Sequence, residues 1–339
     1  MQPDNLHAMA GTIIITGANG SIAVHAVQRL LDKAPGLSLI LTVRNASDTD
    51  PNTKRLREVV GRFPSARASV RELDLVALRA VHDFADAIAG EISQGELPPL
   101  AAIVCNAFHW NMVAGPELTE DGLEKTIQVN HVSHSALVLR LLGSFGPKGG
   151  RVVLFTSDSH YPRRNSLERY PPGMPDVLDD LIGASLEKTD KQGRGFQNYA
   201  NSKLAILMWT YALNRYLEKH ESLSEISAVV VDPGTITDSR ALRTNTPAML
   251  SYMQRFVLQP LRPVLRLMVS DVRGSADAGI DVADLALNQK HSGRRGYFRL
   301  MVPGPSSAES LDETKQDKLW RKTAEWAKLP GGGTAFEGL

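Results

Sequence analysis

Residues 12–16, Thr-Ile-Ile-Ile-Thr, run directly into Gly17-Ala18-Asn19-Gly20-Ser21-Ile22-Ala23 and then into a helical pattern that reaches about residue 32. A short β-branched apolar run bounded by glycines suits a strand buried on both faces of a parallel sheet. Strand, glycine turn and helix in succession place backbone N–H groups and a helix N-terminus where a pyrophosphate can sit. Gly17 is expected to make the tight turn and Gly20 to let the backbone approach the phosphates, with Asn19, Ser21 and Ile22 completing the cradle. Ala23 would let the helix pack closely on the strand. The competing reading is a plain strand-to-helix turn of small residues.

Further apolar runs at 37–43, 68–73, 101–105, 151–155, 226–231 and 296–302 alternate with longer segments, several of them helical in pattern. That alternation implies βαβ units and an α/β, doubly wound Rossmann fold. Its sheet is mainly parallel, with helices on both faces and ligands beyond the carboxyl ends of the strands. The second run ends in Val43-Arg44-Asn45 without the acidic residue that would accept the adenosine ribose hydroxyls of NAD. Arg44 would pair instead with a 2′-phosphate, so NADP is expected rather than NAD. Asp74, followed by Leu75, would cap the next helix or meet the adenine. Asn106 and Ala107 close the fourth strand at the same edge. The turn Pro233-Gly234-Thr235-Ile236 after the sixth would bring backbone groups toward a nicotinamide, Pro233, Gly234 and Ile236 among them. Helices are expected over 53–63, 76–92, 118–142, 175–184, 275–287 and 310–326, the last followed by an exposed tail.

Tyr199-Ala200-Asn201-Ser202-Lys203 opens an apolar helical run over 204–217. Tyr199 and Lys203 stand four apart on one helix face, within reach of each other and of a shared ligand. A free tyrosine, with a pKa of about 10, is a poor proton donor at neutral pH. A neighbouring ammonium is expected to lower that value and make the phenol usable in acid–base chemistry. Isolated, the pair is a weak signal, and a half-buried Tyr beside a snorkelling Lys is the bland account. Upstream, Asn130 lies inside a helix, where asparagine is mildly unfavourable and usually has a reason. Ser157, at the end of the fifth strand, is the expected reactive-site hydroxyl, with Ser159 in reserve. His131 and His134 are read as helix-packing or surface residues, because no Asp, Glu or Cys nearby completes a metal site. A Ser-His-Asp nucleophile could be spelled from Ser157, Asp158 and His160, but the Gly-x-Ser-x-Gly elbow is missing.

At 339 residues, 22% of them charged and with a net charge of +1, the chain has an ordinary soluble balance and no pull toward nucleic acid. One domain over 1–339 is expected, with a long insertion at 160–198 and a substrate-lid segment at about 238–275. The single cysteine, Cys105, allows neither an intrachain disulfide nor a cysteine-based zinc site. A reducing compartment, the cytoplasm, follows as the default, and residues 1–11 show no secretory leader. Residues 248–268 are rich in large apolar side chains interrupted by Pro260 and Pro263. They form either core or the lid of an apolar substrate pocket that also touches a membrane surface.

The ordered set Thr16 to Ala23, Asp74, Asn106-Ala107, Asn130, Ser157, Tyr199-x-x-x-Lys203 and Pro233-Gly234 resembles the short-chain dehydrogenase/reductase family over roughly residues 10–300. Val129-Asn130-His131 and the long segment before Tyr199 resemble its retinol-dehydrogenase-like branch and fungal reductases of secondary metabolism. The resemblance implies a catalytic tetrad of Asn130, Ser157, Tyr199 and Lys203, and hydride transfer between NADPH and a carbonyl carbon. Tyr199 would exchange the proton, Ser157 would hold the oxygen, Lys203 would bind the nicotinamide ribose, and Asn130 would position a water. Family members are often dimers or tetramers, so a homo-oligomer is within the expectation. Ser21 and Ala23 replace the later glycines of the usual motif, Phe108 replaces a glycine, and Asp238 stands where a cofactor-binding Thr is usual. The glycine spacing fits the extended branch, which leaves an isomerase or epimerase as the alternative, and a non-enzymatic NADP-binding protein as the third. The apolar 248–268 segment argues against a sugar nucleotide. A bulky hydrophobic ketone or secondary alcohol, a small molecule of terpenoid, steroid or polyketide type, is the expected substrate.

Overall fold

The computed structural model describes residues 10–183, 189–269, 271–330 and 333–336. Along the chain, β1 (Gly11–Ile15) leads to α1 (Ser21–Lys33), β2 (Leu37–Val43) to α2 (Pro51–Gly61), and β3 (Arg67–Glu72) to α3 (Leu78–Ser93). After β4 (Leu100–Cys105) comes a helix in three parts: α4 (Lys125–Ile127), a π turn (Gln128–Val132) and α5 (Ser133–Leu141). Then follow β5 (Gly150–Phe155), α6 (Lys191–Lys219), β6 (Ile226–Asp232) and a short β7 (Thr235–Ile236). A second interrupted helix consists of α7 (Ala248–Met253), a π turn (Gln254–Leu258) and α8 (Gln259–Met268). The chain closes with β8 (Val272–Arg273), α9 (Ser275–Ala286), β9 (Gly296–Arg299), β10 (Val302–Pro303) and α10 (Glu313–Trp326).

Eight strands form one sheet in the order β10-β9-β6-β5-β4-β1-β2-β3, every neighbouring pair parallel except β9–β10. The order reverses between β1 and β4, which opens a crevice at the carboxyl ends of those strands. Every residue of β1, β2 and β6 is buried. Alternation sorts their side chains: Ile13 and Ile15 pack with α1 and α9, while Ile14 joins the cluster beneath α3, α5, α6 and α10. The fold is therefore the α/β, doubly wound parallel sheet that the alternating pattern implies.

Several boundaries differ from the expectation. The helix expected over 118–142 begins at Lys125, where the Glu124 carboxylate accepts the Ile127 N–H and caps it. α6 begins at Lys191, eight residues before Tyr199, so the last part of the 160–198 insertion is helical. Gly193 and Gly195 read as helix breakers, yet a Cβ at Gly195 would collide with the Asn111 carbonyl. Glycine here lets the helix press against the loop after β4. Within 175–184 only a 3-10 turn forms (Leu178–Leu181), and Ala184 lies outside the described residues. The helix also runs on through Pro260 and Pro263. Pro260 falls in the first turn of α8, directly after a π turn that takes up the irregularity its missing N–H creates. The last expected strand divides into β9 and β10, joined through Leu300 and Met301, both with positive φ. The C-terminal tail is not exposed where described: Phe336 is buried against Trp320 and Tyr216.

Candidate active site

β1 ends at Ile15, and the chain turns through Gly17, whose φ of +59° lies in the left-handed region that favours glycine. A Cβ there would sit 3.0 Å from Ala107, and one at Gly20 would sit 2.9 Å from the Gly17 carbonyl. The Asn106 amide donates to the carbonyls of Thr16 (3.1 Å) and Gly17 (3.0 Å), and Ala107 N–H donates to the Thr16 hydroxyl at 3.0 Å. α1 starts from Gly20 with no side chain capping its first N–H groups and no acidic residue in its first turn. The turn is thus rigid, closely approachable and electropositive, as an anion site requires.

One cavity of about 940 Å³ runs along this edge. Gly17, Asn19, Gly20, Ser21, Ile22, Arg44, Asp74, Leu75, Asn106, Ala107, Pro233, Gly234 and Ile236 line it, and so do Ser157, Tyr199 and Lys203. Asp74 accepts the Val76 N–H at 3.1 Å rather than capping α3, whose first N–H goes to Asp121 at 2.8 Å. Asp50, also in the lining, spends its carboxylate on the N–H groups of Asn52 and Thr53 as the cap of α2. Arg44, in the same lining, is exposed.

Tyr199 is framed by Trp110 (ring centroids 5.3 Å), Phe196 (6.2 Å) and Phe108 (6.4 Å). Lys203 is buried, donates to the Phe155 carbonyl at 3.1 Å, and holds its ammonium 5.6 Å from the Tyr199 ring centre. Here the expected pKa logic reverses. Burial pushes the Tyr199 phenol up, countered only in part by its hydrogen bond with Ser157, and Asp158 and Asp232 push it further up. Burial also brings Lys203 down to about 7, because an ammonium stripped of water is disfavoured. The cation that was to acidify the phenol is itself disfavoured by burial.

Asn130 does not line the cavity. It sits in the π turn, where its carboxamide oxygen accepts His109 N–H at 2.7 Å and its nitrogen donates to the His109 carbonyl (2.8 Å) and the Ser202 hydroxyl (2.9 Å). Both protons of its nitrogen are thus committed, which leaves only the second lone pair of its oxygen for a water. The unfavourable helical Asn is explained by the clamp it makes on the loop after β4. His131 and His134 are buried, not on the surface; His134 Nε2 lies 2.9 Å from the Thr16 hydroxyl and its ring bonds the Asn130 backbone. His134 so ties the glycine turn to the π turn. Ser157 Oγ donates to Asp158 at 3.0 Å, while His160 Nδ1 meets the Ser157 carbonyl, not its hydroxyl. That placement removes the Ser-His-Asp reading.

Two cavity residues escaped the sequence. Arg240 donates to the Asn19 carbonyl at 2.6 Å, and its own N–H donates to the Ser21 hydroxyl at 3.2 Å, so residues 239–245 strap across the glycine turn. No local pattern signals a contact across 221 positions. Asp232, at the end of β6, is pushed up to about 6 by burial, although the Gly234 N–H and Arg299 pull it down. Asp238 forms an ion pair with Arg262 at 3.2 Å and accepts the Ser275 N–H at 2.8 Å, a structural use of the position where Thr was expected.

Fold and site together define an oxidoreductase of the nucleotide-binding α/β class. A family model described as the AcuH dehydrogenase domain matches residues 240–336. Over 82 residues the chain is 54% identical to dehydrogenase acuH of Aspergillus aculeatus, covering 24% of this chain and 84% of that protein. It is 26% identical to short-chain dehydrogenase iccH of Talaromyces variabilis, over 96% of this chain and 98% of the other. Among solved structures, the angucycline C-6 ketoreductase LanV with bound NADP superposes with a TM-score of 0.58 at 18% identity, over 89% and 98% of the two chains. The chain belongs to the short-chain dehydrogenase/reductase family.

Proposed function

We propose that the chain is an NADP(H)-dependent oxidoreductase acting on a ketone or secondary alcohol of a bulky apolar compound. The observation that carries this reading is that the glycine turn, Arg44, Ser157, Tyr199 and Lys203 all line one cavity. The glycine turn fits a dinucleotide, since it lines the cavity and leads into a helix whose first N–H groups no side chain caps. Arg44, with no carboxylate competing at the end of β2, suits the 2′-phosphate, and a ketoreductase neighbour of similar fold carries NADP. When bound, the dinucleotide supplies the hydride chemistry that no side chain can.

The chain's own residues do the rest. Tyr199, high in pKa, is fully protonated at neutral pH and gives its proton to a carbonyl oxygen that is becoming an alkoxide. In the reverse direction it must first give up its own proton, and only as phenolate takes the alcohol proton. Ser157 holds that oxygen in place. Lys203, near 7, passes or accepts a proton close to the operating pH instead of serving as a fixed cation. Asn130 acts as a positioning residue through His109 and Ser202. Phe108, Trp110, Leu167, Phe196, Leu250 and Met253 give the catalytic end an apolar wall, which selects a bulky hydrophobic substrate of terpenoid, steroid or polyketide type and excludes water.

The test is NADPH against NADH oxidation, followed by absorbance with a panel of polycyclic and open-chain apolar ketones. Wild type is expected to favour NADPH, and Arg44→Asp to lose that preference by about tenfold or more. An unchanged preference in the variant removes Arg44 from the site. No consumption of either nucleotide by any ketone, or by the matching alcohols in reverse, overturns the reading.

A further inference from the structure

We propose that the outer face of α7 and α8 docks on a lipid surface carrying anionic headgroups. Met249 (76% exposed), Tyr252 (65%), Phe256 (61%), Leu261 (47%) and Val264 (56%) recur every three to five residues along one side of the helix. The π turn between α7 and α8 keeps them in register as a single stripe. Tyr252 and Phe256 stack their rings 5.8 Å apart in the open, with the Arg255 guanidinium 5.6 Å from the Phe256 ring. The opposite side of the same helix is spoken for: Leu250 and Gln254 are buried, and Leu250, Met253 and Leu258 line the cavity. The exposed stripe is therefore not surplus core, and contiguous exposed apolar surface of this kind marks an interaction site.

Charge selects the occupant. Residues 239–270 contain five arginines, at 240, 243, 255, 262 and 266, and no Asp or Glu. Arg262 is paired with Asp238 and Arg240 faces the glycine turn, whereas Arg255 is exposed on the stripe beside Phe256, and Arg243 is exposed with its guanidinium bonded to Gln254. A second copy of the chain would set two identical basic segments face to face with no carboxylate in either, which disfavours a two-fold contact. An anionic bilayer satisfies both halves of the pattern: apolar side chains enter the acyl boundary while arginines meet phosphate. Among the described residues no helix is long and apolar enough to cross a membrane, so the helix lies in the plane of the surface. If the proposed reaction holds, an apolar compound leaving the bilayer would enter the cavity past Leu250, Met253 and Leu258.

Sedimentation of the full chain with sucrose-loaded vesicles tests the docking without any substrate, so its failure leaves the proposed reaction untouched. Binding is expected to vesicles of phosphatidylcholine with one part in three phosphatidylserine, and to fall about tenfold on pure phosphatidylcholine. Tyr252→Ser with Phe256→Ser should lower binding at least tenfold, with an unchanged circular dichroism spectrum. Arg243→Gln with Arg255→Gln should lower it only on the anionic vesicles. Wild type remaining in the supernatant with both vesicles overturns the proposal, as does a Tyr252→Ser/Phe256→Ser variant that binds like wild type. A dimer in light scattering that this variant disperses, with no vesicle binding by either protein, assigns the face to a second copy instead.

Discussion

Beside Tyr199, the buried Lys203 titrates near 7 against an ordinary 10.5. Between those values the unfolded chain binds the proton that the folded chain has released, so stability rises with pH across that window. Below pH 7 the cost of the buried ammonium is fully present. Lys203→Met removes the group, so its stability should gain on wild type toward pH 7 and lose ground toward pH 10. The difference should change by about 3 kcal/mol in chemical unfolding; a gap constant with pH would contradict the buried, depressed lysine. Gly17→Ala must place a Cβ 3.0 Å from Ala107 at a φ of +59°. A stability loss of about 1–3 kcal/mol and weakened NADPH binding are expected by thermal shift with and without nucleotide. Tyr199 with Lys203 and the glycine turn stand out in the sequence by short local spacings and Ser157 by its place at a strand end, and all of them line the one cavity. The direction of the Tyr199 shift was not legible in the sequence, since burial is set by Phe108, Trp110 and Phe196 from other parts of the chain.

Among the elements, the strands were readable because runs such as 12–16 and 37–43 are mostly apolar and β-branched, with only Ser and Thr between. Where glycine has two meanings the reading stopped short: Gly195 suggests a break, and only the packed loop at Asn111 shows that it permits a contact. The π turn around Asn130 also leaves no mark on a 3.6-residue period. The strap at 239–245 is an element of this hidden kind, pinned by Trp110, whose indole N–H points at the carbonyls of Ala241 (3.2 Å) and Thr244 (3.1 Å). Trp110→Phe keeps the apolar wall but drops both bonds. Proteolytic cleavage within 239–246 should then accelerate, with KM for an apolar ketone rising severalfold; unchanged cleavage would mean that the strap is held elsewhere. Arg240→Ala should raise the NADPH Kd by about tenfold, read by quenching of tryptophan fluorescence.

Across the whole molecule, the catalytic edge rests on a core that the C-terminus completes. Trp320 stacks on Trp209 (5.4 Å) and Tyr216 (4.6 Å) from α6, the helix that carries Tyr199 and Lys203. The tail returns to the same place through Phe336. Its hydrophobic residues are too few to announce this in the sequence. Trp320→Ala should cost about 3–5 kcal/mol of folding stability in denaturant unfolding. The proposed reaction hinges on Tyr199 exchanging a proton at the substrate oxygen. A single-turnover measurement of NADPH oxidation with an accepted ketone, for wild type and Tyr199→Phe at saturating nucleotide, tests it. Unchanged NADPH binding and a rate lower by about 10²- to 10⁴-fold are expected in the variant. A variant that turns over at the wild-type rate would contradict it.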